Sequence, residues 1–215
     1  MKKFIMILLI SILSLQSGCY ELPKYVQNVK SIEPTFKVKI DLSENEYTII
    51  TAKGSAVLGK YKNNYYIITA YHVIDAGKIV DFYSSEDEYL CSIENKKFNH
   101  IKNYDIATYK LPYDFYKRYF NDAKFYNIIP QDIFNNVYKI DAYEDGEYRK
   151  LEKKIIINNE IEFIGNVEFG MSGGALLNMD NELIGIISMK KMDVITGKSI
   201  GGVAERIPLG LLKWK

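Results

Sequence analysis

The chemistry-bearing residues of this chain lie in three short blocks. Gly170-Met171-Ser172-Gly173-Gly174 sets a hydroxyl between glycines. Such a turn lets the backbone approach a carbonyl closely, and its adjacent N–H groups can converge on a developing oxyanion. On its own this block also fits a G-x-S-x-G nucleophile elbow or a purely structural Gly-Ser turn. Chain order separates the hydrolase types. The elbow enzymes place their histidine after the serine, whereas both histidines here, His72 and His100, precede Ser172. The order His, Asp, Ser remains open. His72 ends the apolar run Ile67-Ile68-Thr69-Ala70-Tyr71, where the chain turns; His100 has no such context and reads as an ordinary histidine. Asp81, Asp87, Asp105 and Asp114 all fall between His72 and Ser172. Asp105 stands out, because Tyr104-Asp105-Ile106-Ala107-Thr108-Tyr109 reads as a strand opening at the aspartate, where a carboxylate can orient an imidazole.

The elements that must position these residues are short strands. Phe36-Lys37-Val38-Lys39-Ile40 alternates with period two, and residues 47–51 form a second candidate. Residues 54–59 and 65–69 flank Asn63-Asn64, which reads as a hairpin tip. Further strands are expected at 78–83, 88–95, 105–111, 136–143, 148–157, 160–164, 174–178, 182–189 and 200–204, with a short closing helix at 208–214. The aromatic, charged stretch Tyr113–Tyr126 reads as a partly helical connector. Six short strands on each side of a connector predict an all-β fold of two packed six-stranded antiparallel β-barrels with a short C-terminal helix. Barrel one is expected over 35–111, the connector over 112–135 and barrel two over 136–208, within one domain spanning 35–211. Long helices between strands are missing, which disfavours a parallel α/β sheet.

Composition narrows the function. The 215 residues carry 28 Lys+Arg against 27 Asp+Glu, a net charge of +1, which offers no global field for nucleic acid. Twenty-nine aromatic rings argue for a packed core, not disorder. No Cys/His cluster has metal-ligand spacing, so neither metal nor other cofactor is expected. Lys2 and Lys3 precede a 12-residue apolar run, Phe4–Leu15, too short for a membrane span of ~20 residues but of signal-peptide length. Ser17-Gly18-Cys19 resembles a bacterial lipobox, with Gln16 where a branched aliphatic residue is usual. Residues 1–18 are read as a signal peptide, Cys19 as the lipidation site, and 19–34 as a tether; plain secretory cleavage is the alternative. Losing residues 1–18 leaves 26 basic against 27 acidic side chains. The tether reaches a few nanometres at most, at ~3.3–3.6 Å per residue. The protein is thus expected to be exported to the cell envelope, touching membrane only through that anchor, or otherwise secreted. Cys91, in a strand-like context, is read as a core thiol; its one possible disulfide partner is Cys19.

Together TAYHV around His72, YDIA around Asp105 and GMSGGALLN around Ser172 resemble trypsin-like, chymotrypsin-fold serine proteases, with the bacterial HtrA/Deg branch nearest. GSAVLGKYKNNYYIITAYHVI is similar to that branch's first-barrel hairpin, and residues 178–188 to its post-serine hairpin. The resemblance covers about residues 35–210, with Asp105 33 positions after His72 and Ser172 67 positions after Asp105. It implies a serine endopeptidase acting on protein or peptide substrates, with Ser172 as nucleophile, His72 as base and Asp105 orienting it. It also implies an oxyanion hole of the Gly170 and Ser172 N–H groups. Ser188-Met189-Lys190 would line the substrate strand and primary pocket, with 166–169 and 200–202 as further walls. Met171 replaces the aspartate that pairs with a new N-terminus in digestive relatives, so that activation route is not expected. Lys190 stands where a glycine often keeps the pocket open, which implies a narrowed pocket or one favouring an acidic side chain. Residues 138–143 lack the glycine-aromatic-proline turn common in the branch, and no PDZ domain is expected before Lys215. Two rival functions use the same residues: a catalytically silent protease-fold binding module, and an esterase.

Overall fold

The computed structural model describes residues 32–42, 51–129, 137–144, 147–157, 161–164, 167–197 and 199–212. The segment read as a signal peptide, Cys19, most of the segment read as a tether, and residues 47–50 of the candidate strand at 47–51 lie outside the described residues.

The first half is one curled sheet. Its strands are β1 (Thr35–Asp41), β2 (Thr51–Tyr61), β3 (Asn64–Thr69), β4 (Ile79–Tyr83), β5 (Tyr89–Glu94), β6 (Asn99–His100) and β7 (Ala107–Lys110), paired in the order β5-β4-β1-β2-β3-β7-β6. Six of these have four or more residues; β6 has two, as does β8 (Tyr126–Asn127), which adds to β2 in parallel. The hairpin tip falls at Lys62-Asn63, with Lys62 at φ 54° and Asn64 already paired to Tyr61. Period-two alternation buries Phe36, Val38 and Ile40 in the core, where Phe36 meets Phe82 edge-on at 5.3 Å. The opposite face of β1 is also covered. Lys37 is buried, with Nζ 2.9 Å from Asp87 and near the Tyr143 ring of the second half. Alternation alone would leave Lys37 in water; packing of the two halves encloses it.

The aromatic connector forms α1's longer counterpart further along the chain. With α1 the single turn Tyr71–Ile74, α2 spans Tyr113–Tyr119. Tyr116 stacks on Tyr65 of β3 at 4.2 Å, and Phe115 packs on Tyr109 of β7. These rings seal the first sheet and are not a free recognition surface.

The second half is a closed six-stranded barrel. Its strands β9 (Val137–Glu144), β10 (Glu147–Ile157), β11 (Ile161–Ile164), β12 (Ala175–Leu177), β13 (Leu183–Met192) and β14 (Ser199–Arg206) close in the order β10-β11-β14-β13-β12-β9. Tyr138, Ile140, Ala142, Met171, Leu176, Ile184, Ile187 and Ala204 belong to its interior cluster. The architecture is the double β-barrel expected, but where six strands were expected in each half, the first is a curled sheet of eight, two of them minimal, and only the second closes as a six-stranded barrel. After β14, a 3₁₀ turn at Leu209–Leu212 crosses back onto the first half, where Tyr66 donates to the Leu212 carbonyl at 2.8 Å. The Tyr126 hydroxyl donates to Asp141 of β9, a second tie between the halves. Cys91 sits fully buried in β5, and burial pushes its thiol far up, as befits a core residue.

Candidate active site

His72 is carried by α1, immediately after β3. Val73 and Ile74 anchor that turn in the core and leave the imidazole half exposed, at 50%. Tyr71 stacks on His100 at 4.1 Å, which accounts for His100 as a packing partner.

Asp105 does not open a strand. Residues Ile101–Tyr104 form a turn, with Asn103 at φ 79°, Asp105 follows it outside any ladder, and β7 starts only at Ala107. The polar atoms of Asp105 are committed elsewhere. Oδ2 lies 2.6 Å from His72 Nδ1 and accepts the Ser188 hydroxyl at 2.6 Å; Oδ1 accepts the His72 backbone N–H at 2.8 Å. Its carbonyl accepts Tyr71 N–H at 3.2 Å, and its own N–H donates to Glu205 Oε2 at 2.8 Å. Burial would push this carboxyl up, but the bonds from the His72 ring, the Ser188 hydroxyl and the His72 N–H outweigh it and hold Asp105 below the usual carboxylate range.

Ser172 lies in the turn between β11 and β12. Gly170 and Gly173 take φ of 92° and 87°, open to glycine and costly to other residues. A methyl added at Gly173 would overlap the Ser55 carbonyl oxygen and the Thr69 hydroxyl. The turn is pinned from three sides. Met171 N–H donates to Glu168 O at 3.3 Å while its side chain is buried in the second barrel, and Gly173 N–H donates to Ile187 O at 2.7 Å. Ser55 of β2 binds it twice, through N–H to Ser172 O at 2.7 Å and through Oγ to Gly170 O at 2.8 Å. The same Ser55 Oγ accepts Tyr143 N–H at 2.9 Å. Among the described residues, the N–H groups of Gly170 and Ser172 donate to no acceptor.

Ser188 connects the two halves of the site. The register of β13 against β14 shifts between Ile187 and Met189, a bulge that turns the buried Ser188 hydroxyl out of the ladder and onto Asp105. Its carbonyl accepts Ser172 Oγ at 3.4 Å, a long bond. The hydroxyl of Ser172 therefore faces Ser188 here and makes no bond to His72. Beside it, Phe169 is 78% exposed and Met189 51% exposed, while Lys190 stands opposite Gly202 in the β13–β14 ladder.

No protein-family model matches the chain, and no curated protein matches it. Solved structures do. An astrovirus serine protease, described as human pathogenic, superposes with a TM-score of 0.57 at 16% identity, over 81% of this chain and 90% of its own. The serine endoprotease from Yersinia pestis gives 0.60 at 19% identity, over 85% of this chain and 61% of its own. The HtrA-type protease AlgW, solved with a tripeptide, gives 0.61 at 17% identity, over 85% and 59%. The chain has the fold of the trypsin-like serine proteases. It spans about three fifths of the length of the two bacterial structures.

Within that fold, the structure brings His72 and Asp105 into contact and sets Ser172 beside them through Ser188. Sequence reasoning placed Ser188 only on the substrate strand; its hydroxyl also belongs to the Asp105 network. Two further residues carried no local signal. Ser55 sits in an ordinary hairpin strand and Glu205 directly after the strand expected at 200–204, and the side chain of each finds these partners only across 88 or more residues of chain.

Proposed function

We propose that the protein is an exported serine endopeptidase. The observation that carries this reading is the 2.6 Å contact of His72 Nδ1 with Asp105, facing a serine turn whose flanking N–H groups have no acceptor among the described residues. With Nδ1–H donated to Asp105, Nε2 is the ring's free acceptor. Rotation of Ser172 about χ1, from the weak bond to Ser188 O towards Nε2, aligns the nucleophile; such bonds are often loose before substrate binds.

The reaction then runs in two halves. Ser172 Oγ bonds to the scissile carbonyl carbon and passes its proton to His72 Nε2. The carbonyl oxygen, now negative, is held by the N–H groups of Gly170 and Ser172. Collapse breaks the C–N bond, and His72 returns the proton to the leaving amine. Water enters the vacated space, gives a proton to His72 and attacks the ester carbon; release of the acid returns that proton to Ser172. Asp105 stays ionised and supports the imidazolium throughout, in keeping with a carboxyl held below its usual titration range. Ser188, Met189 and Lys190 would pair with extended substrate, and Cys19 would hold the enzyme at a membrane, which suits envelope or extracellular protein substrates.

The test is labelling of the mature chain by a fluorophosphonate, beside Ser172→Ala and His72→Ala. Labelling of wild type that both variants lose supports an activated serine, and cleavage of extended peptides over simple esters then favours a peptidase. A folded wild type that never labels overturns the reading in favour of a binding module, the alternative that the Ser172–Ser188 bond favours. The N-terminal mass of the membrane-extracted chain reports whether Cys19 is its first, lipidated residue.

A further inference from the structure

Glu205 lies on β14 of the second barrel, half-buried, and its Oε2 accepts the backbone N–H of Asp105 at 2.8 Å. Asp105 belongs to the first barrel, just after a turn and two residues before β7, so no ladder bond fixes its peptide. An N–H outside a ladder and partly withdrawn from water needs an acceptor. The one it has is a carboxylate, and a charge-assisted bond of this kind is about twice as strong as a neutral one.

We propose that Glu205 is a positioning residue for the His72–Asp105–Ser172 arrangement, holding the Asp105 main chain from the opposite barrel. The inference rests on the peptidase reading for its consequence but not for its geometry. His72 and Asp105 are carried by the first barrel and Ser172 by the second, so the distance across which a proton must move depends on how the barrels are registered. Two bonds cross that seam onto Asp105. Ser188 Oγ holds its carboxylate, and Glu205 holds its peptide on the other side. With both in place, the carboxylate cannot swing about the backbone, and the imidazole it binds is held in its position. Losing the peptide anchor leaves Asp105 held through its side chain and the Tyr71 N–H alone, all but one of those bonds coming from its own barrel.

The experiment compares wild type, Glu205→Ala and Glu205→Gln in two readouts: the second-order rate of fluorophosphonate labelling, and the downfield proton resonance of the His72 Nδ1–H. Glutamine keeps an acceptor oxygen where alanine has none. Glu205→Ala is expected to label about tenfold more slowly, since misplacement of a reacting group by an ångström costs up to ~100-fold. Its Nδ1–H resonance is expected to broaden as the Asp105 contact loosens, and Glu205→Gln to restore both readouts to within about threefold. If Glu205→Ala does not fold, Glu205→Met, which fills the space without accepting, takes its place. Wild-type behaviour of the non-accepting variant, or equal loss in Glu205→Gln, overturns the proposal. Failure of folded wild type to label overturns the peptidase reading alone, because the resonance still decides the role of Glu205.

Discussion

Replacing Ser55 by alanine tests the seam between the barrels at the serine turn. Ser55 is fully buried, and its Oγ makes two bonds, donating to Gly170 O at 2.8 Å and accepting Tyr143 N–H at 2.9 Å. Alanine fits the same space and removes both. Tyr143 is itself buried, so its N–H is left without its acceptor, at a cost of about 1–3 kcal/mol. Gly170 lines the cleft, where water can replace the lost donor, so its carbonyl adds only about 0.5–1.5 kcal/mol. Together the change should cost about 2–4 kcal/mol, which for a domain of this size lowers Tm by about 4–16 °C. Thermal unfolding followed by circular dichroism reads this directly. The Gly170–Met171 peptide is also released from β2, so fluorophosphonate labelling should slow by about tenfold at temperatures where the variant is fully folded. A Tm within 2 °C of wild type would refute the premise that these bonds are formed and desolvated.

Two further outcomes follow from the same site. Gly173→Ala sets a methyl against the Ser55 carbonyl and the Thr69 hydroxyl at a φ of 87°, so it should cost more than about 3 kcal/mol and abolish labelling; a stable, labelled variant would contradict the turn geometry. Asp105 is held below its usual range, so its contribution to stability is present above the unfolded value and is lost as pH falls through the folded one. Urea midpoints of wild type and Asp105→Asn, compared from pH 6 downwards, should converge below about pH 4, and a gap that stays constant would show that the carboxylate is not favoured by its bonds.

The strands were readable because their signal is local. Alternation at 36–40 and the β-branched runs at 67–69 and 184–187 need only neighbours a few residues away, and the structure has strands at each. The edges moved where a residue's bonds are made to distant chain. Asp105 was expected to begin a strand, yet its backbone and side chain are taken up by α1, β13 and β14, and the ladder starts two residues later. Lys37 lies on the face of an alternating strand opposite Phe36 and Val38, and packing against the second barrel buries it.

The residue types, their order His72, Asp105, Ser172, and the glycines that permit a positive φ on either side of the serine are legible along the chain alone. Those are properties of short segments, set by side-chain chemistry and backbone sterics. The contacts that join the site emerge from packing: Ser188 on the Asp105 carboxylate, Glu205 on its peptide, Ser55 on the Gly170 carbonyl, and the Ser172 hydroxyl turned to Ser188. Three of these four contacts join residues 83 to 115 positions apart, and the fourth spans 16. Such partners are chosen by how two closed sheets pack, and a serine or glutamate in a strand looks the same in sequence whether its oxygen meets water or the backbone of the opposite barrel.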